Sequence, residues 1–282
     1  MLFEDTQTKI VKWFVYAIVL LLAFLIAFPF YWMVSNSFKP LAEIMSYPPT
    51  IIPRTFTLEA FPQVFATSPF ARWYLNTTVV ALGGSLVTVL VAAPAAYALA
   101  VHRFRGARLF SFYLMASIMV PPMTALLPLY MLLRDLQLIN THFGLVFAYV
   151  GFHTAFAIFL IQNYFETLPK ELVDAARMDG ANDLSILVRI FIPLSRPIFV
   201  TVAVINIVWA WNEYLFSLVV IIKETKMTLS VGIEYFFGTM YRTPDWNMVM
   251  AAATLGLLPS LLLFVRLQSH FISGVTMGAV KS

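Results

Sequence analysis

The sequence predicts an all-α membrane protein that crosses the bilayer six times. Two features of composition and one of patterning lead there. Hydrophobic residues make up 61% of the 282-residue chain and charged residues only 11%, against about 25% charge in soluble proteins. Mean hydropathy is +0.84. Eighteen basic and fourteen acidic residues cannot clothe a soluble protein of this size, so the surplus apolar surface must meet lipid. Six long windows are almost free of charge, and each is long enough to span the roughly 30 Å hydrocarbon core as a helix. The same composition excludes disorder, coiled coil, collagen and a small disulfide scaffold. The absence of cysteine from the sequence excludes thiolate metal sites, structural disulfides and cysteine catalysis. The net charge of +4 is spread along the chain and gives nucleic-acid binding no support.

The windows follow in order. Trp13 to Val34 lacks both charge and glycine. It is too long for a signal-peptide core, and Phe28, Phe30, Tyr31 and Trp32 crowd its end, so it reads as a retained helix. Trp73 to Val101 ends in an alanine-rich stretch. Leu109 to Leu133 carries Pro121, Pro122 and Pro128, which mark either a break beside a pathway or a kink. Phe143 to Phe165 contains His153, Ile198 to Ile222 contains Glu213, and Trp246 to Val265 lies between Asp245 and Arg266. Within the second window Ala92, Ala96 and Ala100 recur every four residues. Such a face suits close contact across a pathway or ordinary intramembrane packing.

Counting Lys and Arg in the connecting segments orients the chain. With the N-terminus inside, the inner segments hold eleven of the eighteen basic residues and the outer segments seven. The bias is sharpest in His102–Arg108, which carries Arg103, Arg105 and Arg108. Both termini are therefore expected in the cytoplasm. Two outer segments are long. Ser35 to Arg72, with six prolines, reads as extended. Lys223 to Asp245 is rich in aromatics and offers Gly238 as a turn.

Several chemistries have no residues to carry them. The chain has no GxxxxGK[ST] phosphate loop, no HExxH, no Gly-x-Ser-x-Gly and no clustered metal-ligand set. A proton- or ion-coupled carrier keeps ionisable residues inside the membrane. Here the windows offer only Glu213 and His153, so uphill transport would draw its energy from another subunit.

The largest inner loop is the most informative segment. From Glu166 to Asp183 it reads as the start of two short helices. Thr167 suits the first cap, Pro169 the first turn and Glu171 the positive end of the dipole. Gly180 suits a left-handed closing residue, and Asn182 caps a second helix running through Leu184, Ile186, Leu187 and Ile190 toward Pro193. Glu171, Asp174 and Arg177 share one edge; Leu172, Ala175, Ala176 and Asp179 share another. Two readings fit. The small alanines let the helix enter a cleft while the acidic edge meets basic groups, or the helix lies on lipid headgroups. The acidic edge counts against the second.

Asp174-Ala175-Ala176, Gly180 and Ile190-Phe191-Ile192-Pro193 resemble the EAA signature of ABC importer permease subunits. That signature reads Glu-Ala-Ala, three residues, Gly, nine residues, Ile-x-Leu-Pro. The spacing matches throughout; Asp174 replaces Glu and Ile192 replaces Leu, both conservatively. The likeness extends along the chain through Tyr47-Pro48-Pro49-Thr50, Asn76-Thr77, Ala96-Tyr97-Ala98-Leu99-Ala100, Trp211-Asn212-Glu213-Tyr214 and the tail Gly274 to Lys281. These segments are similar to the smaller permease of maltose-type sugar importers.

The resemblance implies a type I ABC importer permease fold. Its parts would be an N-terminal portion 1–72, a transport core 73–266 with the coupling loop near 166–196, and a tail 267–282. It implies a transport subunit rather than an enzyme, with no cofactor in this chain and with ATP and Mg2+ in a partner ATPase. The implied partners are a second homologous permease forming a heterodimer, two ATPase subunits, a periplasmic or lipid-anchored solute-binding protein, and membrane lipid. The implied location is the cytoplasmic (inner) membrane of a prokaryote. Glu171, Asp174, Ala175, Ala176 and Gly180 are then expected to couple to the ATPase, which switches the pathway between two rigid-body states. Asn206, Asn212 and Glu213 are candidates for the pathway or its outer gate, the alternative for Glu213 being a structural hydrogen bond between helices. Tyr235, Phe236, Phe237 and Tyr241 are candidates for binding-protein contact, the alternative being an interfacial aromatic belt. A sugar or glycoside is the expected solute. The alternatives are another solute, such as glycerol phosphate, on the same architecture, or a stand-alone ion-coupled carrier, which leaves the EAA loop unexplained.

Overall fold

The structure, a computed structural model, describes residues 6–102, 104–238 and 244–279, with side chains for 11–102, 104–238 and 244–266. In chain order the α-helices are α1 Thr6–Ser37, α2 Leu41–Ile44, α3 Ala60–Thr67, α4 Phe70–Val101, α5 Ala107–Ile118, α6 Leu126–Asp135, α7 His142–Phe165, α8 Glu171–Met178, α9 Asp183–Ile186, α10 Ile192–Leu194, α11 Arg196–Asn212, α12 Leu215–Val220, α13 Leu229–Glu234 and α14 Trp246–Ala279. No strand occurs among the described residues. Four continuous helical segments are long and apolar enough to span a membrane: Val11–Ser37, Phe70–Val101, His142–Phe165 and Trp246–Arg266. Two bent pairs bring the crossings to six when each is counted as one: Ala107–Ile118 with Pro122–Asp135, bent by 95°, and Asp183–Leu194 with Arg196–Asn212, bent by 81°. The chain divides into two compact units, residues 1–68 with 233–257, and 69–232 with 258–282.

In the first unit, α1 is exposed along its apolar length, as a lipid-facing span must be, until Ser35, Asn36 and Ser37 become buried. Lys39 is also buried. Its ammonium donates to Asn36 Oδ1 at 2.8 Å and to Thr50 O at 2.5 Å, and lies 4.8 Å from the Trp32 ring centroid. The segment Ser35 to Arg72 is not simply extended, as its prolines suggested. Pro40 precedes α2, and Pro62 falls in the first turn of α3, where a missing N–H has no partner to lose. Glu43 then orders the turns between them. Its carboxylate accepts from Thr50 Oγ1 at 2.7 Å, Arg54 N at 2.8 Å and Thr55 N at 3.1 Å. The Arg54 and Thr50 donors hold this carboxyl below its ordinary pKa. Phe38 stacks on Phe56 with centroids 5.0 Å apart.

The second unit is built on α4 and α7. Ala92 and Ala96 are fully buried in one apolar cluster with Ala157, Ile158 and Ile161 of α7. The small-residue face of α4 thus packs inside this chain, as the second of its two readings held. Ser85 Oγ donates to Ala203 O at 3.1 Å, tying α4 to α11.

Two windows prove discontinuous. The third breaks at Pro121-Pro122, where a short 3-10 turn, Pro122–Ala125, separates α5 from α6; its prolines therefore mark a break and not a kink. The fifth was expected to run unbroken from Ile198 to Ile222. Instead α11 stops at Asn212, and Glu213 takes extended backbone angles, φ −68° and ψ 132°. No proline or glycine lies there; the Glu213 carboxylate starts the next helix in their place.

Candidate functional site

The inner loop folds largely as its local chemistry dictates. Gly180 has φ +79° and closes α8; Ala181 N donates to Ala176 O at 2.9 Å and Gly180 N to Arg177 O at 3.0 Å. Asn182 Oδ1 accepts from Ser185 N at 2.8 Å and caps α9. Thr167 does not cap α8 as expected. Its hydroxyl donates back to Tyr164 O at 2.7 Å, and Lys170 stands at the N-cap without a side-chain bond. The second helix passes through a π-helical turn, Leu187–Phe191, with Ile192 N bonding to Leu187 O. Pro193 offers no N–H, and its ring would crowd the Arg189 carbonyl in regular α geometry, so the wider turn relieves it.

The two alanines of the motif face opposite ways. Ala176 is 8% exposed and belongs to the apolar cluster of Val173, Ile186, Leu187 and Phe191. The expectation that both alanines present one small surface outward is corrected for Ala176: hydrophobic burial against the chain's own α9 and α7 turns it inward. Glu171, Asp174, Ala175 and Gly180 are exposed, together with Met178 at 89% and Leu184 at 69%. Met178 and Leu184 were missed because periodicity reveals a helix's faces but not which face its own chain covers.

Asp183 joins three elements. It accepts from Tyr97 Oη at 3.2 Å and from Arg177 Nη2 at 3.1 Å, and His102 Nε2 lies 3.4 Å away. The Tyr97 ring meets Phe191 edge-on at 5.0 Å. The end of α4, the first helix of the loop and the second are thereby pinned at one carboxylate. Beside it opens a cavity of about 710 Å³ lined by charged groups including Lys170, Asp174 and Arg177.

At the fifth-window break, Glu213 accepts from Tyr149 Oη at 2.7 Å, Phe216 N at 2.6 Å and Ser217 N at 3.1 Å. This is a bond between helices and a helix cap in one group. Glu213 and Asn212 also line a cavity of about 490 Å³ together with Ser117, Pro122, His153 and Trp209. Both helix breaks therefore open on the same space. Asn206 is buried, donates to Val202 O at 2.8 Å and does not line the cavity.

In the other unit, Phe236 is buried, while Tyr235 and Phe237 are almost half exposed. Gly238 turns with φ +83°, Asp245 N donates to Phe236 O at 3.1 Å, and Phe237 meets Trp246 edge-on at 5.6 Å. Tyr241 lies outside the described residues.

Six crossings, two of them broken around one cavity, and a docked loop of short helices define a multi-pass membrane transport subunit. Residues 89–277 match the family described as binding-protein-dependent transport system inner membrane component, and the chain belongs to that family. It is similar to the melibiose/raffinose/stachyose import permease protein MelC of Bacillus subtilis, 32% identical, covering 94% of this chain and 96% of that one. It is also similar to the trehalose/maltose transport system permease protein MalG of Thermococcus litoralis, 31% identical over 93% of this chain and 94% of that protein. Among solved structures, a bacterial ABC transporter involved in import of the acidic polysaccharide alginate matches with TM-score 0.86 and 25% identity, over 96% of this chain and all of the other. The chain is thus an ABC importer permease subunit, with a transport role rather than an enzymatic one, and its family works with ATPase and binding-protein partners.

Proposed function

We propose that this chain is one half of a heterodimeric permease that imports a sugar or glycoside, with its core at residues 73–266. A second permease pairs with it, two ATPase subunits that bind ATP and Mg2+ lie on the cytoplasmic side with both termini of this chain, and a periplasmic or lipid-anchored binding protein delivers solute outside. The sugar class is supported by the relatives, whose names specify melibiose, raffinose, trehalose and maltose. One observation carries the coupling role. The loop is anchored through Ala176 and Asp183 to its own chain, while Glu171, Asp174, Ala175 and Met178 remain open to a partner.

Shape dominates charge in this dock, because an exposed ion pair contributes only about 0–1 kcal/mol. Ala175→Leu should therefore release the ATPase or uncouple hydrolysis from uptake, and Asp174→Asn should be milder. Purifying each variant with its partners and measuring ATPase retention and sugar uptake decides this. Wild-type values for Ala175→Leu would remove the loop's outer face from coupling. Asn212 and Glu213 belong to the pathway or its outer gate, and Asn206 supports them from within the helix. Tyr235 and Phe237 meet the binding protein, with Phe236 anchoring them and Tyr241 extending the run. Replacing Tyr235 and Phe237 with alanine should weaken ATPase stimulation by the binding protein; unchanged stimulation would return these rings to the membrane interface.

A further inference from the structure

We infer that the segment from Met45 to Ile52 is a lipid wedge, which folds back along α1 and seats Ile51 and Ile52 in the bilayer interface at the Trp32 end of that helix. The inference concerns how the first unit is held in the membrane and does not depend on the solute.

The height of the segment comes from its bonds to α1. Ile51 O accepts from two residues one turn apart, Tyr31 Oη at 3.1 Å and Ser35 Oγ at 2.9 Å, and Thr50 O accepts from Lys39 Nζ. The segment thus lies alongside the last turns of the span. The apolar stretch of α1 begins at the exposed Trp13, directly after Lys12, and a Trp beside a Lys suits the edge of the hydrocarbon. Tyr31 and Ser35 lie about 27 and 33 Å further along the helix axis at 1.5 Å per residue. The hydrocarbon core is about 30 Å thick, so Ile51 stands at its opposite edge. A tilt of α1 shortens this projection and carries Ile51 deeper.

What the segment presents at that height is apolar. Tyr47 is 95% exposed and Ile52 72%, and Met45 and Ile51 are exposed with them. Its backbone suits the same place, because the border of the hydrocarbon penalises peptide groups that lack partners. Pro48, Pro49 and Pro53 carry no N–H. Thr50 O and Ile51 O are bonded to α1, and the N–H groups of Arg54 and Thr55 to Glu43. The formal charges between Pro40 and Phe56 are Glu43 and Arg54. Three donors engage Glu43, so the open charge beside the wedge is the exposed Arg54, whose sign and shape suit a lipid phosphate. A soluble partner docking from water does not reach below the headgroups, and the adjoining length of α1 is itself exposed to lipid. Lipid is therefore the occupant this surface fits.

The sequence has no cysteine, which makes the test direct. Ile51→Cys, Ile52→Cys and Glu59→Cys are each spin-labelled and reconstituted in phospholipid nanodiscs as the full complex with cysteine-free partners. Collision with oxygen, which concentrates in lipid, is compared with collision with a water-soluble nickel chelate. Glu59 is the reference in water, since Thr57 N bonds to Phe38 O beyond the end of α1. The oxygen-to-nickel ratio at Ile51→Cys and Ile52→Cys should exceed that at Glu59→Cys several-fold. Ratios equal to that of Glu59→Cys overturn the wedge. Shielding of Ile52→Cys from both reagents, with or without the binding protein, means a protein cover and overturns it too. On the topology proposed above the wedge lies in the outer leaflet, and a membrane-impermeant maleimide should label Glu59→Cys in intact cells. Labelling only after lysis, with the high ratio at Ile52→Cys retained, overturns that topology and leaves the wedge standing in the other leaflet. Should one isoleucine variant not assemble, the other decides.

Discussion

Glu43 and Glu213 each gather three donors on one carboxylate, the first on the short helix α2 and the second among apolar helices. Glu43 takes one hydroxyl and two backbone N–H groups, as Glu213 does. The arrangement is alike, so the surroundings set its worth. Around Glu43, water can replace any donor that is lost. Around Glu213, a freed Tyr149 hydroxyl or Phe216 N–H has little else to bond, and each buried orphan costs about 1–3 kcal/mol. Asp183 is intermediate, with half of its side chain exposed and three partners, two from the end of α4 and one from α8. One kind of polar hub thus serves as a helix starter within the membrane, a clasp between α4, α8 and α9, and an organiser of the turns after α2.

Glu213→Ala should show the largest effect of these three sites. We expect a loss of at least about 2 kcal/mol in the stability of the purified complex, read as a fall of several degrees in its melting midpoint, with Glu213→Gln in between. An unchanged midpoint for Glu213→Ala would erase the contrast with Glu43. Next comes Ala176→Leu, which asks whether packing or the Asp183 clasp holds the inner loop. Overpacking a buried position costs about 1–3 kcal/mol, so the loop should lift from α9 and become protease-sensitive near residue 180. Asp183→Asn, or Tyr97→Phe, should do less, because solvent screens an exposed carboxylate, and the two together should cost less than their sum. A larger effect from Asp183→Asn than from Ala176→Leu would make the clasp the principal anchor.

The smallest effect is at Glu43, and pH isolates it. Arg54 N–H and its companions lower this carboxyl below the ordinary 4.5. A lowered folded pKa means that the bonds contribute fully above 4.5 and are lost as pH falls through the lower folded value. Protection of the Arg54 and Thr55 amides from hydrogen exchange, corrected for intrinsic rates, should hold from neutrality down to the ordinary 4.5 and collapse only at a pH below it. Glu43→Gln should remove the step. A step that persists in Glu43→Gln would assign it to another group.

The parts of this architecture that depend on neighbours in sequence were legible. Charge-free length located all six crossings, and Pro121-Pro122 marked one break. Gly180 and Asn182 announced the turn between the loop helices because left-handed backbone and N-caps are decided within a few residues. Thr167 was misread because Tyr164 O, three residues back, competes for its hydroxyl. What depends on distant partners stayed hidden. Glu213 stood out as a lone carboxylate, yet Tyr149, which settles its geometry, lies 64 residues away. The break at Glu213 has no proline or glycine to signal it. The inward turn of Ala176 follows from what α9 and α7 cover, and the pairing of Trp209 with His153 follows from the packing of two helices.

Helix α4 runs unbroken for 32 residues, about 48 Å at 1.5 Å per residue. Near one end Tyr97 grips Asp183. Near the other, Trp73 Nε1 donates to Glu224 O at 2.8 Å, Asn76 Nδ2 to Met227 O at 2.9 Å, and Thr77 Oγ1 accepts from Leu229 N at 2.7 Å. A β-carbon on Gly232 would fall inside the Trp73 indole, so that end is also closed sterically. The bent spans can absorb a push by flexing at their joints, whereas α4 is continuous, interrupted only by the missing N–H of Pro94, and is clasped at both ends. It behaves as a tie bar. A tilt of the loop that Asp183 clasps therefore has a direct route along α4 to residues 224–232, one that does not pass through the cavity walls.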